Sequence, residues 1–235
     1  MSDKVDLIFL PGLLCDEALW ASQVDDLSDI ANVTVADLTG FDSMAGLAKS
    51  VLEQAPKTFA LAGLSMGGYV AQEIMRQAPE RVSHLAFLDT NARADLPEQS
   101  ERRKTLMALA EDGGLGKVAH QMLPALVHPD HVEEPHISII FMKMAEHVGV
   151  SGFVNQQTAI MNRVGGLDVL STVTCPTLIL CGEDDQLTPL NVHEEMADAI
   201  GDHAILVSIA HCGHLSTLEQ PKTVSQALRA WLLGA

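Results

Sequence analysis

Short apolar runs alternate along the chain with longer stretches whose apolar residues recur at helical spacing. Val5–Leu10, Val33–Val35, Thr58–Ala62, Leu85–Leu88, Thr177–Cys181 and Ile205–Ser208 predict strands. Most of these runs are continuously apolar, as expected for strands covered on both faces of a parallel sheet. Helical spacing fills Met66–Gln77, which stops near Pro79, then Val192–Ile200, which ends at Gly201, and Thr223–Leu233. Strand then helix, repeated, predicts an α/β fold with right-handed crossovers.

The rhythm breaks once. From Thr90 to Pro176 no good strand is found, but helical patterns are, with Ile137, Ile140, Phe141 and Met144 on one face. The stretch is too long for one crossover. It predicts a helical cap inserted over the sheet, residues 92–165, with residues 1–91 and 166–235 forming the core. Ligands in open α/β sheets bind outside the carboxyl ends of the strands, so a cap there would cover a pocket.

Composition narrows the function. The chain has 235 residues, 47% apolar and 19% charged, enough for a sizeable core. Lys and Arg number 14 against 31 Asp and Glu, a net charge of −17. That balance argues against nucleic-acid and anionic-membrane partners, which need clustered cations. The start, Met1-Ser2-Asp3-Lys4-Val5-Asp6, is acidic where a signal peptide is basic, and no run reaches the ~18 apolar residues of a membrane helix. Cys15, Cys175, Cys181 and Cys212 show no metal or disulfide spacing, so reduced thiols and a cytoplasmic location are expected.

The chemistry centres on Gly63-Leu64-Ser65-Met66-Gly67-Gly68, between a strand and a helix. G-x-S-x-G in that setting is a nucleophile elbow. The serine occupies a strained turn whose neighbours must lack bulk, at a helix N-terminus that favours negative charge. A serine hydroxyl needs a base, and the base an orienting carboxylate, in the chain order Ser, Asp or Glu, His. Two later loops at carboxyl ends of strands supply them. One holds Glu183, Asp184 and Asp185; the other holds His211 and His214.

With these motifs the chain resembles the α/β-hydrolase superfamily, and within it the small cap-bearing esterase-type members. The resemblance spans nearly the whole chain and is weakest in the cap. The family's acid loop, G-x-x-D-x-x-x-P, matches Gly182, Asp185 and Pro189. Its histidine loop, G-H-x-x-x-x-E-x-P, matches Gly213, His214, Glu219 and Pro221. The resemblance therefore favours Ser65, Asp185 and His214 as the triad. It also implies that the backbone N–H groups of Leu13 and Met66 bind the oxyanion. Pro11 stands where many relatives carry His, which leaves backbone donors intact. The family's usual N-terminal hairpin has no counterpart, so about six parallel strands are expected, with Val33–Val35 at an edge that a homodimer would cover; a monomer is the other expectation.

The expected function is hydrolysis of a small or medium carboxylic ester through an acyl-enzyme, with no metal or organic cofactor. Low aromatic content (4%) and methionines in the cap, among them Met107, Met122, Met142, Met144 and Met161, point to an aliphatic acyl group. Carbon–carbon bond hydrolases, thioesterases, perhydrolases and cofactor-free lyases use the same triad, and a non-catalytic ligand receptor is a further alternative. His211-Cys212-Gly213-His214 matches no common zinc pattern. The cap histidines His120, His128, His131, His136 and His147 are expected on solvated faces. Arg163 sits where relatives often carry Arg-Pro-Asp-Ser, but the motif is absent and no role is carried over.

Overall fold

The computed structural model describes residues 4–234; the acidic start at Met1–Asp3 lies outside them. Strand β1 (Val5–Leu10) leads through a 3-10 turn at Glu17–Trp20 into α1 (Ala21–Leu27), and β2 (Ala31–Val35) into α2 (Met44–Gln54). Strand β3 (Phe59–Leu64) runs directly into α3 (Met66–Gln77), then β4 (Val82–Leu88) follows. Next come α4 (Pro97–Leu109), α5 (Leu115–Leu126) and α6 (Pro135–Met161). The short α7 (Leu167–Leu170) returns to β5 (Thr177–Gly182), α8 (Leu190–Ile200) and β6 (Ala204–Ile209). Helices α9 (Ser216–Glu219) and α10 (Pro221–Leu233) follow.

The six strands form one parallel sheet in the order β2-β1-β3-β4-β5-β6. Every residue of the central strands β3 and β5 is buried, which explains their continuous apolar runs. The edge strands β2 and β6 alternate or expose side chains instead, and Ile205 on β6 is largely exposed. Strand β2 is an edge, as the resemblance without the usual N-terminal hairpin implied. Two cores cover the two faces. One gathers Leu7, Phe9, Trp20 and Trp231, with Phe9 stacked parallel on Trp20 at 4.2 Å; the other gathers Ile8, Leu61, Val70 and Ile179. Trp20 is thus a packing residue.

Between β4 and β5 the described residues hold helices and no strand. Helices α5 and α6 pack on each other, and Val118, Leu123, Phe141, Met144 and Phe153 join the first core. Helix α6 is long and apolar enough to cross a membrane, by length and composition, although it holds no uninterrupted apolar run of that length. Lys143 and Glu146 interrupt the run, and Gly149 (φ 68°) breaks the helix midway.

Candidate active site

Four non-glycine residues among those described have positive φ: Leu14 (59°), Ser65 (54°), Asp89 (45°) and His211 (51°). They lie in the loops that follow β1, β3, β4 and β6, all at the carboxyl edge of one parallel sheet. Such conformations cost on the order of 1 kcal/mol or more each, and they cluster where function over-determines the backbone.

The turn at Ser65 shows why its neighbours are glycines. A Cβ on Gly67 would lie 2.1 Å from the Leu10 carbonyl oxygen, and one on Gly63 2.4 Å from the Gly67 backbone. The two motif glycines let α3 start against β1 and β3 without a gap. The N–H groups of Met66, the first residue of α3, and of Leu13 in the loop after β1 find no acceptor among the described residues. Leu13 lines the same cavity as Ser65.

The structure brings Ser65, His214 and Asp185 together. The Ser65 hydroxyl donates to His214 Nε2 at 2.8 Å, and His214 Nδ1–H donates to Asp185 Oδ2 at 2.7 Å. His214 and Asp185 are buried, while Ser65 is half-buried against the cavity. Three further donors hold the carboxylate: the N–H groups of Leu187 (2.8 Å) and Thr188 (3.0 Å) on Oδ1, and the Thr188 hydroxyl on Oδ2 (2.6 Å). Burial opposes the charged forms of both groups, but each outweighs it for the other. The imidazole is held above its ordinary value by Asp185 and, less strongly, Asp89; the Asp185 carboxyl is held below its own by His214 and the Thr188 donors.

The other candidates lie elsewhere. Glu183 bonds Ser208 on the surface, and Asp184 faces His128 at 3.5 Å. His211 is exposed with its ring against His128. His128 and His131 correct an expectation, since neither is on a solvated face. Both are partly buried because the fully buried Glu219 carboxylate accepts the His128 backbone N–H (2.7 Å) and reaches His131 Nδ1 (2.8 Å). The same carboxylate accepts the Gly213 N–H, one residue before His214. Burial pushes the thiols of Cys15, Cys181 and Cys212 up, Cys181 to about 12, so all are poor nucleophiles. Arg163 packs on Tyr69, 4.2 Å from guanidinium to ring centre, and pairs with Asp95.

Asp89 and Thr90 are residues that sequence reasoning missed. Asp89 is fully buried; its Oδ1 accepts the Gly182 N–H (3.0 Å) and its Oδ2 the Ser216 hydroxyl. The Thr90 hydroxyl donates to the Ser65 carbonyl oxygen (2.8 Å), and the Thr90 N–H donates to His193 Nε2 (3.0 Å). Two adjacent residues thereby tie the serine, acid and histidine loops together. Burial, with Asp185 nearby, drives the Asp89 carboxyl well above its usual range; burial also lowers His193 to about 4.

Over Ser65 lies a cavity of about 180 Å³. Leu13, Tyr69, Met122, Leu126, Ile160 and Leu215 supply apolar wall, and α4 contributes Gln99, Arg102, Arg103 and Leu106. The volume is below the ~300–1,000 Å³ of drug-sized ligand sites.

The family model described as "Alpha/beta hydrolase family" matches residues 7–227. The chain belongs to the alpha/beta hydrolase family. Among solved structures it is similar to a thermophilic esterase from Thermogutta terrifontis, with a TM-score of 0.91 at 30% identity, covering 98% of this chain and 90% of that one. A pimeloyl-[acyl-carrier protein] methyl ester esterase from Nitrosomonas europaea is 26% identical over 92% of this chain and 91% of the relative. A 2-hydroxy-6-oxononadienedioate/2-hydroxy-6-oxononatrienedioate hydrolase from a Pseudomonas species is 28% identical over 80% of this chain and 68% of the relative. As a family member with these relatives the chain is a hydrolase.

Proposed function

We propose that Ser65, His214 and Asp185 are the catalytic triad of this hydrolase, acting on a small carboxylic ester. The observation that carries the reading is the unbroken run of hydrogen bonds from the Ser65 hydroxyl through His214 to Asp185, at the floor of a cavity. The protein is a carboxylic ester hydrolase. His214 takes the Ser65 proton as Oγ attacks the ester carbonyl, and Asp185 steadies the imidazolium that forms. The negative charge moves onto the carbonyl oxygen, where the free N–H groups of Leu13 and Met66 receive it. The tetrahedral intermediate collapses, and His214 gives its proton to the leaving alcohol. Water, deprotonated by His214, then attacks the acyl-enzyme, and the acid leaves as His214 returns the proton to Ser65 Oγ.

Residues 92–165 serve as a cap that closes the cavity over Ser65. Helices α4, α5 and α6 supply much of its wall, which supports that division of the chain. The similarity to an esterase of known structure and to a methyl ester esterase supports ester over other acyl chemistry. A panel of small methyl and nitrophenyl esters, run on wild type and Ser65→Ala, tests the reading. Turnover by the wild type and a roughly 10⁴–10⁶-fold loss in the variant are expected. Equal turnover by both, or cleavage of carbon–carbon substrates alone, contradicts it.

A further inference from the structure

Three arginines, Arg102, Arg103 and Arg163, line the cavity that holds Ser65. A single carboxylate, Asp95, pairs with two of them: Arg103 at 3.1 Å and Arg163 at 2.9 Å. Arg102 is different. Six of the chain's seven arginines (Arg76, Arg81, Arg93, Arg103, Arg163 and Arg229) donate hydrogen bonds to carboxylates or carbonyls. Among the described residues Arg102, exposed at the cavity rim, donates none and forms no ion pair, although acids outnumber bases by 31 to 14.

A second observation points the same way. Gln157 also lines the cavity and is fully buried. Its Oε1 accepts a hydrogen bond from Arg103 at 2.9 Å, which fixes the amide orientation. Its Nε2 therefore offers N–H donors, and these have no partner among the described residues. A buried donor without an acceptor is costly, and it is rare in a finished structure unless something else satisfies it. Two donor groups, an exposed cationic one and a buried neutral one, thus border the catalytic cavity and lack protein acceptors among the described residues.

We infer that Arg102 and Gln157 form an anion subsite, and that the ester substrate carries a carboxylate which they bind. A guanidinium with an amide beside it suits the oxygens of a carboxylate, and charge-assisted bonds of this kind are the stronger ones. The arginine-rich wall also offsets the repulsion that a chain of net charge −17 exerts on an anionic substrate. The inference rests on the ester hydrolase reading and names the substrate class for that site.

Three esters test it: methyl pentanoate, monomethyl glutarate with the carboxylate on the acyl side, and 4-acetoxybutyrate with it on the alcohol side. One of the two carboxylated esters is expected to exceed methyl pentanoate in kcat/KM by about 10-fold or more, mainly through KM, and which one does so fixes the side. Arg102→Gln and Gln157→Leu should each reduce that preference by about 10–100-fold. Glutarate binding to Ser65→Ala, followed by calorimetry, should be lost when Arg102→Gln is added. A wild type that favours the neutral ester, or a preference that Arg102→Gln leaves in place, overturns the subsite while leaving the ester hydrolase intact. If no ester is cleaved, the hydrolase reading fails, and glutarate calorimetry alone decides the subsite: binding that depends on Arg102 sustains it, and no binding ends it.

Discussion

The Leu14 backbone N–H donates to the side-chain oxygen of Gln156 at 3.0 Å, joining the loop after β1 to helix α6 across 142 positions of sequence. Gln156 is fully buried, and its Nε2 in turn reaches the Leu38 carbonyl. Leu14 has positive φ, and it follows Leu13, which lines the cavity. The contact holds a strained turn in place. Gln156→Leu should therefore lower kcat by roughly 10-fold with little change in KM, because the Leu13 donor would be misplaced for the oxyanion. Steady-state kinetics on a small ester checks this; a change in KM alone would assign Gln156 to ground-state binding.

The pH profile follows from the His214–Asp185 pair. His214 must be neutral to accept the Ser65 proton, and its imidazole is held above the ordinary value of 6.5. Activity should thus fall on the acid side with a midpoint above pH 6.5. Asp185→Asn removes the main favourable charge, so the midpoint should move downward while kcat falls about 10⁴-fold. The kcat/KM profile of a small ester, measured from pH 5 to 9, reads both effects.

Burial, with Asp185 nearby, raises the Asp89 carboxyl well above its ordinary value, so the folded chain holds its proton more tightly than the unfolded chain does. Its contribution to stability is therefore lost as pH rises from the ordinary value of 3.8 towards the raised one. Asp89→Asn, which mimics the neutral acid, should keep activity and flatten this pH dependence of Tm. Asp89→Leu strands the Gly182 N–H and the Ser216 hydroxyl, at about 1–3 kcal/mol and a Tm lower by roughly 3–10 °C. Thermal melts of the three proteins between pH 4 and 8 distinguish these outcomes.

Gly67→Ala should abolish activity and destabilise the fold, because the added carbon would meet the Leu10 carbonyl at 2.1 Å. Backbone at that contact has no flexible end to swing away. Loss of both soluble yield and turnover is the expected outcome. A folded, active Gly67→Ala protein would show that the approach of α3 to β1 is looser than described.

The parallel sheet was legible because burial on both faces leaves continuous apolar runs, and five of its six strands extend only a residue or three beyond those runs. The elbow was legible because Gly63 and Gly67 have a steric reason to be there. Helices α1 and α2 were not, since Asp25, Asp26, Lys49 and Glu53 dilute their apolar stripes. Strand β4 starts three residues early because Ser83 and His84, only partly buried, continue the ladder without adding to the apolar run. Asp89, Thr90, Gln156 and Gln157 carry no local pattern at all. Their roles arise from hydrogen bonds between segments distant in sequence, such as Gly182 to Asp89 across 93 positions. The partial burial of His128 and His131 has the same origin, in a carboxylate 91 and 88 positions further on.

The most direct measurement is mass spectrometry of the protein after reaction with a fluorophosphonate, with the modified residue mapped by peptide. The expected result is one adduct, on the Ser65 peptide, absent from Ser65→Ala and slowed by several orders of magnitude in His214→Ala. A stoichiometric adduct on another residue, with the Ser65 hydroxyl untouched, would contradict its role as nucleophile.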